Sequence, residues 1–178
     1  YNIENVSPDA HLAPSVGDSS SKTSSKAWHK IDGVCYNGSG KKVEGAITRG
    51  MDVSEWQGKI NWKESKKDLD FAFVRISYGT RHLDDYYAYN MTEAEAADVP
   101  VGTYVYSLAK TNKEALAEAQ LAIRQMQGHK VSYPVAFDLE DEATLGTLTR
   151  KEISQIALTF CDEIRKAGYT PILYMNLN

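Results

Sequence analysis

The sequence predicts an α/β protein in which strands of a parallel sheet alternate with helices. Three observations support this fold class. Short apolar segments of strand length recur beyond residue 49, segments with helical start signals lie between them, and the connections are short. This alternation is compatible with a doubly wound sheet or with a (β/α) barrel. A chain of 178 residues is long enough for one such core and an appendage.

The amino-terminal third is expected to form two smaller parts. Residues 1–27 contain a serine-rich run with almost no large apolar side chains, and we expect a flexible tail or linker. Residues 28–48 carry Asn37-Gly38 and Ser39-Gly40 between short apolar stretches, which predicts a small β-hairpin leader turning there. Cys35 and Cys161 match no metal or redox spacing; two separate buried thiols are favoured over a disulfide.

Five buried strands are predicted in the remaining part, residues 49–178. They cover residues 50–54, 71–77, 100–109, 134–140 and 170–176. Helix starts are indicated by two capping boxes, Thr111 with Glu114 and Thr149 with Glu152. Apolar residues from Ile153 to Ile164 recur at helical spacing, and Gly168 is placed to end that helix.

Composition excludes several classes of function. The net charge of −4 provides no electrostatic footprint for nucleic acid or an anionic membrane surface. No run of about 18 apolar residues occurs, so membrane insertion is not expected. The four histidines show no ligand spacing, and no second oxygen-rich loop supports a metal site. We therefore do not expect a metal site.

The candidate catalytic groups are three carboxylates. Asp138 and Glu140 alternate along one strand, so both point to the same face, about 6.5–7 Å apart along the strand. Asp52 alternates in the same way on the first strand and would converge with them inside a barrel mouth. Such a cluster suits glycoside hydrolysis, in which one carboxylic acid protonates the leaving oxygen. Alternatively, Asp138-Leu139-Glu140 simply begins an acidic loop with Asp141.

Aromatic residues recur at the same strand ends and suggest a glycan cleft. Tyrosine hydroxyls can hydrogen-bond carboxylates or sugar hydroxyls, and aromatic faces suit sugar rings. Each residue alone would more often be ordinary packing. The candidate substrate-binding residues are Tyr78, Tyr104, Tyr106, Tyr174 and Trp56.

Four segments together resemble glycoside hydrolase family 25 lysozymes. Residues 49–62, Arg-Gly-Met-Asp-Val-Ser-Glu-Trp-Gln-Gly followed by Ile-Asn-Trp, resemble the opening motif of that family. Residues 71–75 and 102–107 resemble its second and third strands, and residues 136–140 resemble the segment bearing its Asp-x-Glu pair. The matches occur in family order from about residue 49 to 178.

The resemblance implies a TIM-like barrel and an N-acetylmuramidase that cuts the β-1,4 bond between N-acetylmuramic acid and N-acetylglucosamine in peptidoglycan. It makes Glu140 the general acid, and Asp138 a group that orients or stabilises, with a substrate-assisted route as one option. It further implies no cofactor and a secreted or wall-associated protein of a bacterium, with a Gram-positive source favoured.

One departure from the family concerns the number of strands. The family barrel has eight strands, whereas the fifth predicted strand here is followed by Asn178, and the further acidic residue of the last strand has no counterpart. We therefore expect a truncated barrel that is weak or inactive alone, unless a complementing fragment or second chain supplies strands. The rival functions are a noncatalytic peptidoglycan-binding fragment and a chitinase-like glycosidase. A nucleotide-binding protein is disfavoured, because no glycine-rich phosphate loop follows the first strand.

Overall fold

A computed structural model describes residues 28–176. The elements are β1 (His29–Ile31), β2 (Val34–Tyr36), β3 (Gly50–Val53), a 3₁₀ turn (Glu55–Gln57), α1 (Trp62–Ser65), β4 (Phe71–Tyr78), β5 (His82–Leu83), α2 (Tyr87–Ala96), β6 (Val101–Tyr106), α3 (Asn112–Met126), β7 (Val131–Leu139), α4 (Glu142–Leu145), α5 (Arg150–Lys166) and β8 (Pro171–Met175). None of the described helices is long and apolar enough to cross a bilayer. The serine-rich tail predicted for residues 1–27 lies outside the described residues.

The main sheet contains all five predicted strands. Its order is β3-β4-β6-β7-β8, and each of these neighbouring pairs is parallel. Sequence reasoning missed the two-residue strand β5, which pairs antiparallel with the end of β4. Two residues are too few for a periodic pattern, which explains the omission.

The strand order distinguishes a barrel-type sheet from a doubly wound one. Each new parallel strand is added on the same side of the previous one, without a reversal of order. Because crossover connections are right-handed, an unreversed order places every crossover helix on the same face. This is the arrangement of a (β/α) barrel, and it leaves the opposite face concave. The predicted fold class is therefore confirmed.

The convex face of the sheet forms the hydrophobic core with the helices. Val135, Phe137 and Leu139 of β7 are buried there, as their alternation in sequence predicts. The ring of Phe137 stacks on that of Phe160 in α5, with 4.0 Å between ring centroids. The face of α5 that recurs at helical spacing is thus the face that covers the sheet.

Aromatic rings line the concave face towards the amino-terminal ends of the strands. Phe71 stacks on Tyr133 at 4.8 Å, and Phe73 meets both rings edge-on. Two glycines make room for these rings: a Cβ at Gly50 would lie 2.1 Å from the Phe71 ring, and one at Gly102 would lie 2.7 Å from Phe73. The rings form a floor beneath the carboxyl ends of the strands.

The two predicted capping boxes have different outcomes. At Thr149 the box is complete, because Glu152 accepts the Thr149 backbone N–H at 2.8 Å while Thr149 Oγ1 accepts that of Glu152. At Thr111 only the threonine half forms, since the Glu114 carboxylate accepts the N–H of Lys110 instead. The predicted box at Thr111 is therefore only half right. The predicted helix end at Gly168 is confirmed. Gly168 has a φ of 88°, its N–H donates to the carbonyl oxygen of Arg165, and the N–H of Tyr169 donates to that of Ile164.

The leader contains a hairpin, but its turn lies earlier than predicted. Strands β1 and β2 are joined by Asp32 and Gly33, both with positive φ, as in a type I′ turn. The predicted turn at Asn37–Gly40 instead makes a second reversal, which brings Lys42 into a single bridge with Tyr36. Both segments carry turn residues, and strand pairing selected the two-residue loop. Cys35 and Cys161 are buried free thiols, as favoured from the sequence.

Candidate active site

One row of side chains crosses four strands of the concave face. Tyr78 of β4 is in register with Tyr106 of β6, Tyr106 with Asp138 of β7, and Asp138 with Tyr174 of β8. The rings of Tyr78 and Tyr106 stack with 4.9 Å between centroids. Because residues in register share a face, three of the predicted cleft tyrosines flank the predicted carboxylate.

Asp138 is the carboxylate of this row and has the least exposed surface of the three candidate acids. Only 7% of the residue is exposed, and its Oδ1 has no hydrogen-bond partner among residues 28–176. Burial, followed by the charges of Glu140 and Asp52, raises the pKa of Asp138 to about 8, against the opposing charge of Arg75. The carboxyl group is therefore protonated at neutral pH and can donate a hydrogen bond.

Glu140 lies just beyond the end of β7, at the mouth of the concave face. It is partly exposed, and its Oε2 accepts a hydrogen bond from Asn176 Nδ2 at 3.3 Å. Partial burial raises the pKa of Glu140; the hydrogen bond from Asn176 opposes that rise, and the charge of Asp52 adds to it. An accessible carboxyl group with a raised pKa can act as a general acid.

Asp52 joins the other two acids from β3. Its side chain is exposed on the concave face, and desolvation by the neighbouring protein groups raises its pKa against an opposing backbone hydrogen bond. The charge of Asp52 raises the pKa values of Asp138, Glu140 and Tyr104. The structure thus brings together the three acids that sequence reasoning selected.

Tyr104 lies one alternate position below Tyr106 on β6 and is half-buried among charges. Burial is the main cause of a raised pKa, and Asp52 adds to it while Arg75 opposes it. The phenol consequently stays protonated over the whole physiological range. Tyr106 behaves similarly, since burial and the nearby acids raise its pKa to about 12. Both hydroxyls are available as hydrogen-bond donors to a carboxylate or a sugar oxygen.

A buried ion-pair network at the end of β4 was not predicted. Arg75 Nε donates to Asp84 Oδ2 at 2.9 Å, and its Nη2 lies 2.9 Å from Glu55 Oε1. Asp84 Oδ2 accepts the backbone N–H of Glu55, and His82 Nε2 contacts Glu55 at 2.8 Å. The motif of residues 71–75 contains the arginine, but its partners lie 9 and 20 positions away in sequence. Only the fold shows the pairing.

This network fixes the rim segment that carries Trp56. Desolvation acts to raise the pKa of Glu55, but hydrogen bonds from His82 and the Asp85 N–H and the charge of Arg75 hold it below its usual range. The 3₁₀ turn Glu55–Gln57 is further closed by a capping box between Ser54 and Gln57. Trp56 is 76% exposed on this turn, at the same end of the sheet as the carboxylates. An exposed indole on an anchored turn can offer a platform to a sugar ring.

The acidic-loop alternative applies to Asp141, whereas Asp138 and Glu140 precede that loop. Asp141 caps α4 by accepting the Thr144 N–H at 2.7 Å, and Glu142 lies in the first turn of the same helix. Asp138, in contrast, sits within β7 and faces the concavity. Asp141 and Glu142 therefore belong to the start of α4, whereas Asp138 and Glu140 belong to the cleft.

The arrangement combines the groups that glycosidic cleavage needs. A protonated or protonatable carboxyl group lies at an accessible position, a second acid is held neutral by burial, and a third acid lies nearby on β3. Phenol donors and an exposed indole border them. Such crowding separates the pKa values of neighbouring carboxyl groups, which allows one to donate a proton while another stays charged.

Comparison with known protein families identifies the family of this chain. The model of the family described as "Glycosyl hydrolases family 25" matches residues 51–178. That range runs from the second residue of β3 to the end of β8 and includes every candidate site residue, and it leaves the β1–β2 hairpin outside.

Individual proteins are similar to this chain in sequence or in structure. YegX of Escherichia coli K12 is 26% identical over 132 residues, which make up 70% of this chain and 47% of YegX. Lysozyme M1 of Streptomyces globisporus is 38% identical over 60 residues, covering 33% of this chain and 20% of that lysozyme. The modular autolysin LytC of Streptococcus pneumoniae superposes with a TM-score of 0.69 and 26% identity, covering 83% of this chain and 37% of LytC. The chain thus spans about half of YegX.

Proposed function

The chain belongs to family 25 of the glycosyl hydrolases, and on that premise we propose that it is the catalytic part of a peptidoglycan hydrolase. The reaction is hydrolysis of the β-1,4 bond between N-acetylmuramic acid and N-acetylglucosamine. The single observation that carries the proposal is the convergence of Asp52, Asp138 and Glu140 on one tyrosine-lined concave face. The similarity to LytC adds support, since that autolysin has been solved with a synthetic peptidoglycan ligand.

Glu140 is assigned the role of general acid. It is the carboxyl group of the three that combines access from solvent with a raised pKa and a hydrogen-bond partner that orients it. Protonation of the leaving glycosidic oxygen requires all three properties.

Asp138 is assigned to orientation and stabilisation of the reacting sugar. The pKa of its carboxyl group is raised to about 8, and its Oδ1 has no hydrogen-bond partner among residues 28–176. Asp138 lies between Tyr106 and Tyr174 in register. A neutral carboxyl group there can hydrogen-bond the acetamido group of the substrate and hold it against the anomeric carbon. Asp52 then remains the charged member that stabilises developing positive charge, in a substrate-assisted mechanism.

Aromatic side chains provide the substrate-binding surface. Tyr78 and Tyr106 form a stacked pair beside the acids, Tyr104 lies deeper, and Trp56 stands on the anchored rim turn. Tyr174 flanks Asp138 on the opposite side. The partner is thus a glycan strand of peptidoglycan, and the location is the bacterial cell wall or the secreted fraction, with a Gram-positive source favoured.

The barrel is proposed to need further strands for full activity. Within residues 28–176, β8 pairs only with β7, and its convex-face residues Leu173 and Met175 are 48% and 43% exposed. A strand and helix packed there would cover this apolar surface and complete the cleft. A complementing segment or second chain can supply them, and the isolated 178-residue chain is expected to be weak or inactive.

The test is identification of newly formed reducing ends. Purified peptidoglycan is digested with the 178-residue chain, with a barrel completed by the further strands, and with that completed barrel carrying Glu140→Gln. The products are reduced with borohydride, and the reduced sugar is identified by mass spectrometry. Muramitol from the parent, with a loss of about 10³-fold or more in the variant, is the expected result for the complete barrel. The control is Glu142→Gln, which alters an exposed acid of α4 and should leave the rate unchanged.

The other outcomes separate the alternatives. Glucosaminitol ends would mean a glycosidase of chitinase-like specificity and would contradict the assigned bond. Binding to insoluble wall without new ends from a complete barrel would favour a noncatalytic peptidoglycan-binding protein. Full activity from the verified 178-residue chain would refute the need for additional strands.

A further inference from the structure

A buried glutamate lies on the convex side of the sheet, away from the three acids of the cleft. Glu118 is on α3 and is only 2% exposed. Its neighbours along the buried face of α3 are the alanines 115, 119 and 122, which offer no polar partner. An ionisable group in such a position is costly to bury unless hydrogen bonds compensate it.

Both oxygens of Glu118 are engaged by the loop that follows β6. Oε2 accepts the hydroxyl of Ser107 at 2.7 Å, and Oε1 accepts the backbone N–H of Leu108 at 3.1 Å. Ser107 Oγ in turn accepts the N–H of Ala109 at 3.1 Å. The carboxylate therefore holds three consecutive residues of the loop in one conformation.

The same loop is bonded to the backbone of the cleft acid. The N–H of Ser107 donates to the carbonyl oxygen of Asp138 at 2.9 Å, and Ser107 directly follows Tyr106. A continuous path thus runs from Glu118 through Ser107 to Asp138. Ser107 is 1% exposed, so water does not compete for these hydrogen bonds.

We propose that Glu118 is a positioning residue, which sets the separation between the carboxyl ends of β6 and β7 through Ser107 and so places Tyr106 against Asp138 in the cleft. The role of these two cleft residues rests on the proposed function, whereas the path itself rests on geometry alone. Burial, opposed by the Ser107 and Leu108 hydrogen bonds, raises the pKa of Glu118 to about 7. A carboxyl group and a carboxamide of the same shape can both serve this path, because each can accept from Leu108 and bond to Ser107.

The variants are Glu118→Ala, Glu118→Gln and Ser107→Ala, with Met126→Ala as the control. Met126 is fully buried on the same helix, at the end far from the loop, so its variant reports general loosening of α3. Glu118→Ala removes the hydrogen bonds from Ser107 and Leu108 to the carboxylate. Ser107→Ala removes the two hydrogen bonds of the Ser107 hydroxyl, to Glu118 and from the Ala109 N–H. Glu118→Gln keeps the shape of the side chain. The Ser107 variant retains most of the packing and keeps the test decisive if Glu118→Ala does not fold.

Hydrogen exchange of backbone amides measures the path directly in the 178-residue chain. In Glu118→Ala and Ser107→Ala, the amides of residues 107–109 should exchange about tenfold faster or more, while Glu118→Gln stays near the parent. In Met126→Ala, the amides of α3 should exchange faster, while the amides of residues 107–109 should keep the protection that they have in the parent. Equal acceleration in the glutamine and alanine variants, or in the methionine control, would overturn the proposal.

The titration of Asp138, followed by ¹³C NMR of its carboxyl group, measures the consequence in the cleft. Its pKa depends on burial and on the facing charges of Glu140, Asp52 and Arg75. If the ends of β6 and β7 separate, water enters and the pKa of Asp138 should fall by about one unit in Glu118→Ala and remain unchanged in Glu118→Gln. An Asp138 titration that is identical in all variants would also overturn the proposal.

The third measurement is the steady-state rate at which the completed barrel releases muramitol ends. Glu118→Ala should lower kcat about tenfold with KM within about twofold, and the glutamine variant should recover most of the loss. If the parent produces no muramitol, the proposed function fails, while the exchange and titration results still decide the positioning role. A change in KM alone, with kcat unchanged, would contradict it.

Discussion

The two faces of β7 differ in what they contribute to the protein, although alternate residues of one strand form them. On the convex face, Val135, Phe137 and Leu139 are buried against helices and stabilise the fold. On the concave face, Asp138 is also buried, but among like charges and without a partner for Oδ1 among the described residues. Equal burial therefore has opposite effects on stability. The convex face stabilises the sheet, and the concave face gives up part of that stability to hold a reactive carboxyl group.

The largest expected effect on stability follows from a change on the convex face. Phe137→Ala removes a fully buried ring that stacks on Phe160 at 4.0 Å, and it should lower the free energy of unfolding by about 3–5 kcal/mol. Urea unfolding monitored by circular dichroism measures the change. Phe137→Leu, which keeps most of the volume, should cost less than about 1.5 kcal/mol. A loss that is equally small in both variants would contradict the assigned role of the ring.

The next effect is a gain in stability from a change on the concave face, and it depends on pH. The pKa of Asp138 is about 8 in the folded protein and 3.8 in its ordinary state. The folded chain therefore holds a proton between these values that the unfolded chain has released, so this stability is present below about pH 4 and is lost as the pH rises to about 8. Asp138→Asn should be more stable than the parent by about 2 kcal/mol or more at pH 8, and close to the parent at pH 4.

Urea midpoints at pH 4, 6 and 8 check this expectation. The asparagine variant should retain a smaller slope of the same sign, because the raised pKa of Glu118, about 7, acts in the same direction. If the parent and the variant had parallel dependences on pH, Asp138 would not be the group responsible.

The smallest effect on stability is expected at the rim of the concave face. Tyr106→Phe removes one hydroxyl from a partly exposed ring and keeps the stacking with Tyr78, so the free energy of unfolding should change by less than about 0.5 kcal/mol. The rate of release of muramitol ends should nevertheless fall about 3- to 10-fold, as one hydrogen bond to substrate or acid is lost. An unchanged rate in this variant would show that the Tyr106 hydroxyl does not contribute to the reaction.

Prediction from sequence succeeded where the signal is local. The five parallel strands, the opposite faces of Asp138 and Phe137, the cap at Thr149 and the helix end at Gly168 all follow from spacing within a few residues. The hairpin turn was misplaced because both Asp32-Gly33 and Asn37-Gly38 are good turn sequences, and the choice depends on which strands pair. The capping box at Thr111 was only half right for a similar reason: the Glu114 carboxylate accepts the N–H of Lys110 in place of that of Thr111, and the sequence does not show which of these two donors it takes.

The sequence by itself determined which residues of each strand share a face, because successive side chains on an extended backbone must point to opposite faces. It thereby selected Asp52, Asp138 and Glu140 as a group and left open whether they meet. Tertiary structure decided that they do, and it decided which acid is neutral, which arginine is paired and which glutamate holds the β6 loop. These properties arise from desolvation and from interactions between residues 9 to 88 positions apart in the chain, with Asp52 and Glu140 at the far end of that range. Such distances are closed only when the strands assemble into the curved sheet.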